Sequence, residues 1–374
     1  MINNNIIIFN PSIEDGGVEK NLFIIANYLS TRLKNLSIIT SDYKKNNFSK
    51  KIKIITHKIK LKKNAGRKIK YLLCLILLIK EIILNKRKCV IFSFQANIYS
   101  IIICHFLSVK IISRSNSSPS GWSKNPIKKK IFSYFLKKAD LIIVNSKDFK
   151  KEIDTKFNVN SKLIYNPFNF DLIKKKSNEK LKLKFFSKKT LNIINIGRLT
   201  EQKDQITLIK AINIASQKIN IRAIIIGKGI LADKLKNLIS KFNLQKSIKL
   251  IGYKKNPYKY IKKADIFLLT STFEGHPNVL IEAQYLKKFI ISSNCPTGPR
   301  EILNNGKFGN LFNVKQYQKL AKLIIGYRKN ITNLKKINLG YKSLEKYNLK
   351  KNCELYLSVI NNINNINNIN NIHY

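Results

Sequence analysis

Acid is what this chain has least of. Twenty Asp and Glu stand against 71 Lys and Arg, a formal net charge of +51 over 374 residues. Such a charge draws polyanions: nucleic acid, an anionic membrane surface, or phosphorylated small molecules. The basic residues are spread along the chain rather than striped. They come with no nucleic-acid motif and no aromatic–basic stripe, so nucleic-acid binding ranks last among the readings. The five cysteines (Cys74, Cys89, Cys104, Cys295, Cys353) are scattered through mostly apolar segments, with no CxxC and no Cys/His cluster. They read as buried thiols in a reducing compartment, not as disulfides or metal ligands. The dinucleotide fingerprint G-x-G-x-x-G is missing, which argues against a dinucleotide cofactor. Long apolar runs are missing too: "YLLCLILLIKEIIL", from Tyr71, is broken by Lys80 and Glu81 and is too short and charged to span a bilayer. The start, "NNNIIIFNP", has no basic stretch leading a long apolar run, so a cytoplasmic protein without a secretory signal is expected.

What the chain does have is alternation. "NIIIF", "LSIIT", "CVIFSF", "KIISRS" and "ADLIIVNS" read as strands with helical spacing between them. "LNIINIG", "IRAIIIG", "SIKLIG", "ADIFLLTS" and "FIISS" repeat the style in the second half. Near-continuous apolar strands separated by helices mean parallel sheets covered on both faces, an α/β protein. "KKADLIIVNS" at Lys137–Ser146 matches "KKADIFLLTS" at Lys262–Ser271, so two Rossmann-like domains in tandem are expected. The expected division is a first domain over 1–170, a charged linker over 171–190 and a second domain over 191–345. A final helix over 346–360 and a low-complexity tail over 361–374, holding the triplet repeat "NNINNINNINNI", complete the chain.

Two carboxylates stand out against the shortage of acid. In "STFEGHPNVLIEAQYL" seven residues separate Glu274 from Glu282. The preceding "IFLLTS" reads as a buried strand, so "TFEGH" falls at a strand's carboxyl end, where open α/β sheets bind ligands. Pro277 suits the first helical position, and the N–H groups of Asn278, Val279 and Leu280 face an anion at the helix start. Acid, phosphate site, acid suits a nucleotide sugar, with hydroxyls at both ends and phosphates between. In "NIGRLTEQKDQ", Gly197 turns the chain after a strand and puts Arg198 and Lys203 at the same edge. Arg offers a fork and Lys a point charge to phosphate oxygens. Gly16-Gly17, in "NPSIEDGGVEKN", permits close backbone approach before a helix.

Together these residues resemble the retaining GT-B glycosyltransferases, specifically glycosyltransferase family 4, from "GGVEKN" to about Phe312. The motifs are "GRLTEQKD", "IIGKG", "LIGYKKN" and the E-x7-E pattern in "FEGHPNVLIEA". The segment "SSNCPTGPREIL" looks like members that build bacterial surface polysaccharides. The resemblance implies a GT-B fold, two Rossmann-like domains whose parallel sheets face across a cleft. It also implies transfer of a hexose or N-acetylhexosamine, with retention, from a nucleotide sugar, UDP-linked, to a lipid-linked or saccharide acceptor in lipopolysaccharide, capsule or O-antigen assembly. Arg198 and Lys203 would hold the diphosphate, Glu282 the ribose hydroxyls and Glu274 the transferred sugar. Backbone at Asn278–Leu280, Gly16 and Gly17 would border the phosphates, and Gly252-Tyr253 would lie near the base. No cofactor or metal is expected, and there is no D-x-D motif. The chain departs from many relatives in lacking a histidine after "IISRS", where Ser115-Asn116 stand. Arg114, Ser115 and Asn116 are the candidates there for donor or acceptor contact. The final helix is expected to cross back to the first domain.

Two first-domain segments, "KKNAGRKIKYLLCLILLIKEIIL" and "GWSKNPIKKK", set lysines beside apolar residues and the single tryptophan, Trp122. They suit peripheral contact with an anionic membrane. The competing enzyme class is a sugar-nucleotide epimerase of the same architecture, which would convert the donor with no acceptor present.

Overall fold

The computed structural model describes residues 5–13, 16–42, 47–59, 66–116, 125–181 and 183–370. Trp122 and the segment 121–124 around it lie outside the described residues, as does 62–65 of the other basic segment. The chain forms two compact units. The first joins Met1–Phe168 to Tyr347–Tyr374, and the second is Asn169–Lys346.

The first unit holds β1 (Asn5–Phe9), α1 (Gly17–Leu29), β2 (Leu36–Ile39), β3 (Lys53–Ile55), α2 (Arg67–Leu84), β4 (Cys89–Ser93) and α3 (Asn97–Phe106). It continues with β5 (Lys110–Arg114), α4 (Pro126–Leu136), β6 (Leu141–Val144), α5 (Lys147–Phe157) and β7 (Lys162–Leu163). The strands pair in parallel in the order β3-β2-β1-β4-β5-β6-β7. Successive side chains of a strand point to opposite faces, and here both faces are covered. Ile6 and Ile8 enter one core with α1, while Ile7 and Phe9 enter another with α2, α3 and α5. This double burial is why β1 reads as an unbroken apolar run.

The second unit opens with α6 (Phe170–Ser177), followed by β8 (Leu191–Ile196), α7 (Gln205–Ser216), β9 (Ile221–Ile226), α8 (Ala232–Lys241), β10 (Ile248–Leu250) and α9 (Tyr258–Lys263). After these come β11 (Ile266–Leu269), α10 (Asn278–Tyr285), β12 (Phe289–Ser293), α11 (Pro299–Ile302), β13 (Asn310–Phe312), α12 (Tyr317–Ile325) and α13 (Ile331–Lys342). Its sheet is again all parallel, in the order β10-β9-β8-β11-β12-β13. Both sheets therefore reverse their order of growth once, between β1 and β4 and between β8 and β11. The last helix, α14 (Leu349–Asn370), belongs to the first unit, where Cys353, Tyr356, Val359 and Ile360 fill the core beside α1. The helix runs into the Asn/Ile repeat as far as Asn370.

The internal echo has a structural cause. Asp140 Oδ2 accepts the Ile111 N–H at 2.8 Å and the Asp140 N–H donates to the Ile111 carbonyl at 3.1 Å. Asp265 does the same to Asn192, at 2.9 and 2.8 Å. In each unit an aspartate just ahead of one strand, β6 or β11, clamps the start of the strand beside it, β5 or β8.

The stretch read as a linker, 171–190, behaves otherwise. Its first residues belong to α6, capped by the Asn169 side chain on the Leu172 N–H. Phe170 stacks on Tyr285 with ring centroids 4.6 Å apart, and Ile173 is buried. Lys174, Lys175 and Lys176 occupy the last turn, the negative end of the helix dipole. A lysine-rich composition concealed an ordinary amphipathic helix. All five cysteines are buried and free. Burial pushes the Cys74 thiol up to about 11 and those of Cys89, Cys295 and Cys353 to about 12, so none is a ready nucleophile.

Candidate active site in the second unit

Three turns at the carboxyl edge of the second sheet pack backbone on backbone. The Gly197 N–H donates to the Ile226 carbonyl at 3.0 Å, and the Gly227 N–H to the Gly252 carbonyl at 3.1 Å. A Cβ on Gly227 would lie 1.8 Å from the Gly197 oxygen, and one on Gly229 2.2 Å from the Leu199 oxygen. Only glycine permits that approach. Gly252 has φ +68°, which completes the third turn and sets Tyr253 outward, with the Lys228 ammonium 5.3 Å from its ring centroid.

Where the strand order reverses, the turn after β8 is sewn to the turn after β11. The Thr272 N–H donates to the Gln202 carbonyl at 2.8 Å, Gln202 Nε2 to the Phe273 carbonyl at 3.0 Å, and Thr270 Oγ1 to the Lys203 carbonyl at 2.9 Å. Gly197 leaves the space that the Lys203 side chain fills: a Cβ there would stand 3.3 Å from Lys203 Cγ. The Lys203 ammonium turns inward and pairs with Glu274 Oε1. Glu274, 7% exposed, also accepts from Ser271 Oγ at 2.6 Å. Arg198 stays exposed, its guanidinium donating to Gln202 Oε1 at 3.2 Å.

Pro277 caps α10 rather than starting it, so the helix begins one residue later than its sequence pattern implies, at Asn278. The Leu280 N–H already donates to the Pro277 carbonyl at 3.0 Å, which removes it from the anion-binding set. Asn278 is buried and Val279 half-buried at the first turn. Glu282 is 1% exposed and accepts from Tyr258 Oη at 3.1 Å. The loop after β12 closes on this turn. Thr297 Oγ1 donates to the Glu274 carbonyl, and Gly298, at φ +81°, comes so close that a Cβ would meet Pro277 Cδ at 2.6 Å. Burial, with the Glu274 charge added, holds the Cys295 thiol of that loop neutral.

Thus the second unit brings Arg198, Lys203, Glu274 and the start of α10 to one strand edge, with Glu282 inside that helix. Gly16, Gly17, Arg114, Ser115 and Asn116 belong to the first unit. Gly16 caps α1, its N–H donating to Glu19 Oε2 at 3.1 Å, and Gly17 is exposed at the helix start. Arg114 is fully buried. Its guanidinium donates to Tyr356 Oη at 2.9 Å, to Asn166 Oδ1 at 2.6 Å and to Asn116, with the Phe94 ring beside it. It pins α14 to the sheet instead of facing a ligand. Burial raises the Tyr356 hydroxyl's pKa, against the lowering effect of that guanidinium. Ser115 is buried, its N–H donated to the Ile143 carbonyl, and Asn116 is half-buried on the Phe94 carbonyl. Sequence reasoning did not single out Tyr258, Ser271, Gln202, Thr297 or Gly298. Gln202, Ser271 and Thr297-Gly298 stood inside the quoted "GRLTEQKD", "STFEGHPNVLIEAQYL" and "SSNCPTGPREIL", which could have signalled them, whereas Tyr258 stood in no motif.

Chemically, this edge offers a buried ion pair, an exposed guanidinium and a helix start to a phosphorylated ligand, and two carboxylates to hydroxyl groups. Residues 176–338 match the family model Glycosyl transferases group 1, so the second unit carries a domain of that family. An uncharacterized glycosyltransferase of Methanocaldococcus jannaschii is 42% identical over 178 residues, 46% of this chain and 44% of that protein. An N-acetylgalactosamine-N,N'-diacetylbacillosaminyl-diphospho-undecaprenol 4-alpha-N-acetylgalactosaminyltransferase of Campylobacter jejuni is 34% identical over half of each chain. The match thus spans about half the length of these relatives. Anabaena HepE, solved in complex with UDP, superimposes with a TM-score of 0.77 over 96% of this chain and 100% of its own, at 17% identity. The likeness in structure shows the fold: two Rossmann-like domains of the GT-B class.

Proposed function

We propose that the chain is a retaining glycosyltransferase. It moves a hexose or N-acetylhexosamine from a UDP-sugar to a lipid-linked or saccharide acceptor of bacterial surface-polysaccharide assembly, working peripherally at the inner face of the cytoplasmic membrane. The observation that carries the reading is the edge between β8 and β11, where Lys203 and Arg198 stand beside a helix start with one buried carboxylate on each side of it. The Campylobacter jejuni relative's name supports the class of acceptor and the α linkage.

In this reading Arg198 and Lys203 offset the charge that builds on the leaving diphosphate, together with the first turn of α10. Glu282, oriented by Tyr258, accepts the ribose hydroxyls. Glu274, held by Ser271 and Lys203, accepts hydroxyls of the transferred sugar and fixes its orientation. The bond from the sugar's anomeric carbon to the diphosphate oxygen breaks, and the acceptor oxygen bonds to that carbon on the same face. The acceptor's hydroxyl proton passes to the departing phosphate oxygen. Both carboxylates recognise and position; neither takes the proton. Two side-chain cations serve where other transferases use a metal, so turnover is expected to be unchanged by EDTA. Turnover lost to EDTA and restored by a divalent cation would remove this part of the mechanism.

The test is a thermal-shift screen of the full chain against UDP-, GDP- and ADP-sugars, because a ligand that binds only the folded state raises the apparent melting temperature. A shift with UDP-sugars is expected. Folded protein with no response to any nucleotide sugar would overturn the reading, and conversion of the donor without an acceptor would identify an epimerase instead.

A further inference from the structure

Helices α2, α3 and α4 lie side by side over one face of the first unit's sheet. Each turns one stripe into the core: Cys74, Leu78 and Ile82 from α2, Ile101 and Cys104 from α3, Leu136 from α4. Each carries a second apolar stripe on the opposite side, and that stripe is exposed. On α2 it is Ile69, Leu72, Ile76, Ile79 and Ile83, spaced to stay on one side of a helix with about 3.6 residues per turn. On α3 it is Tyr99 and Phe106, and on α4 Ile127, Ile131 and Tyr134. Among the described residues, eleven of the 21 exposed large hydrophobic side chains sit on these three helices, which make up only about a tenth of the chain. A monomer in water gains nothing from such a face, so it signals a partner.

The charges around it say which partner. The three helices carry seven Lys and Arg and a single carboxylate, Glu81. Lys68, Lys80, Lys129 and Lys130 are exposed beside the stripes, with Lys86, Arg87 and Lys88 after α2 and Lys137 and Lys138 after α4. A second copy of this chain would bring an equally cationic face against it, and like charges opposed across an interface cost several kcal/mol. A nucleic acid backbone would leave the isoleucines and leucines without apolar partners. No helix among the described residues is long and apolar enough to cross a membrane. A basic rim with an apolar centre, lying flat, matches the headgroup and acyl boundary of an anionic bilayer.

We propose that the exposed face of α2, α3 and α4 is the surface by which this chain docks on an anionic lipid bilayer. The Ile, Leu and Phe side chains enter the acyl boundary, and the lysines pair with lipid phosphates. The inference rests on the peripheral, lipid-linked-acceptor reading above and names the part of the chain that makes the contact.

Flotation of the purified full chain on phosphatidylcholine vesicles, with and without phosphatidylglycerol, tests it. The chain is expected to float only with phosphatidylglycerol. Lys129→Ala/Lys130→Ala should weaken binding roughly 25-fold, from about five-fold (about 1 kcal/mol) per cation at the surface. Ile76→Glu/Ile131→Glu should weaken it more than ten-fold. Ile331→Glu/Leu334→Glu, two exposed positions on α13 of the second unit, should float like the parent chain. Each variant's melting curve and UDP-sugar thermal shift establish that it is folded and that the nucleotide site is intact. A parent chain that stays unbound, or an α13 variant that loses as much binding as the α2/α4 variant, overturns the proposal. So does a dimer in light scattering that the Ile76/Ile131 variant dissociates without any flotation of the parent, which would make a second copy the occupant. A chain that floats but answers no nucleotide sugar would retire the transferase reading while supporting this surface.

Discussion

Lys203→Met is the perturbation whose consequences are most sharply set by the structure. Lys203 and Glu274 form an ion pair whose side chains are 16% and 8% exposed. Removing the ammonium leaves the Glu274 carboxylate buried with the Ser271 hydroxyl and no cation of its own. Breaking one side of a buried pair costs about 3–5 kcal/mol, because the remaining charge is stranded. The residual exposure of Lys203 puts this case at the low end, about 3 kcal/mol. For a unit of this size that lowers the melting temperature by about 6–12 °C. Glu274→Gln in the same chain removes the stranded charge, so the double variant should recover about 2 kcal/mol of the loss, a coupling energy of about 2 kcal/mol plus whatever Glu274→Gln costs alone. Urea unfolding followed by circular dichroism, with the slope m compared among the four chains, measures it. UDP affinity should stay low in the double variant, since restoring charge balance does not restore the phosphate contact. A Lys203→Met cost below about 0.5 kcal/mol, or a double variant as unstable as the sum of the single ones, would show that the pair is not formed.

Two further outcomes follow from the buried groups of the second unit. Tyr258→Phe deletes the donor at 3.1 Å from Glu282 Oε1, and a hydrogen bond to a charged group is worth about 1.5–3 kcal/mol. UDP affinity by calorimetry should fall about ten-fold, and unchanged affinity would show that Tyr258 does not orient the carboxylate. Lys288 donates to the Lys262 carbonyl at 2.7 Å, and burial, reinforced by Lys329, Lys262 and Lys263 against Asp265, lowers its pKa from 10.5 to about 8. The unfolded chain keeps that proton up to about 10.5 while the folded chain releases it near 8, so unfolding takes up protons in this window and stability rises with pH across it. Lys288→Met should stabilise the chain at pH 7 and abolish the rise; a parent chain whose stability is flat from pH 8 to 10 would contradict this.

The central strands were legible because both of their faces are buried, which writes an unbroken apolar run into the sequence: "IRAIIIG" became β9 almost to the residue. β3, β7 and β13 were not, since they are only three, two and three residues long and lie toward or at sheet edges, where burial imposes less pattern. α6 was taken for a linker because its second half is a run of three lysines in a charged stretch, although Phe170 and Ile173 suffice to seat it. At the site, the burial of Glu282 could be read from its apolar neighbours on α10. The pairing of Glu274 with Lys203 could not, because the two are 71 positions apart and meet only through the reversal of strand order. Arg114, at a strand end, was read as a candidate for donor or acceptor contact. Its partner Tyr356 comes from 242 residues further on, and no local signal predicts that a basic residue will be buried by a helix that returns from the far end of the chain.

In the proposed mechanism the two carboxylates grip one donor at both ends. The most direct measurement is steady-state kinetics with a UDP-sugar, beside UDP calorimetry, on Glu282→Ala and Glu274→Ala. Glu282→Ala is predicted to weaken UDP binding and raise KM for the donor. Glu274→Ala is predicted to leave UDP affinity near that of the parent and to lower kcat by a hundred-fold or so, the loss of about 2.7 kcal/mol of transition-state positioning. The reverse split, with Glu274 governing nucleotide affinity and Glu282 governing turnover, would contradict the assignment of the pair.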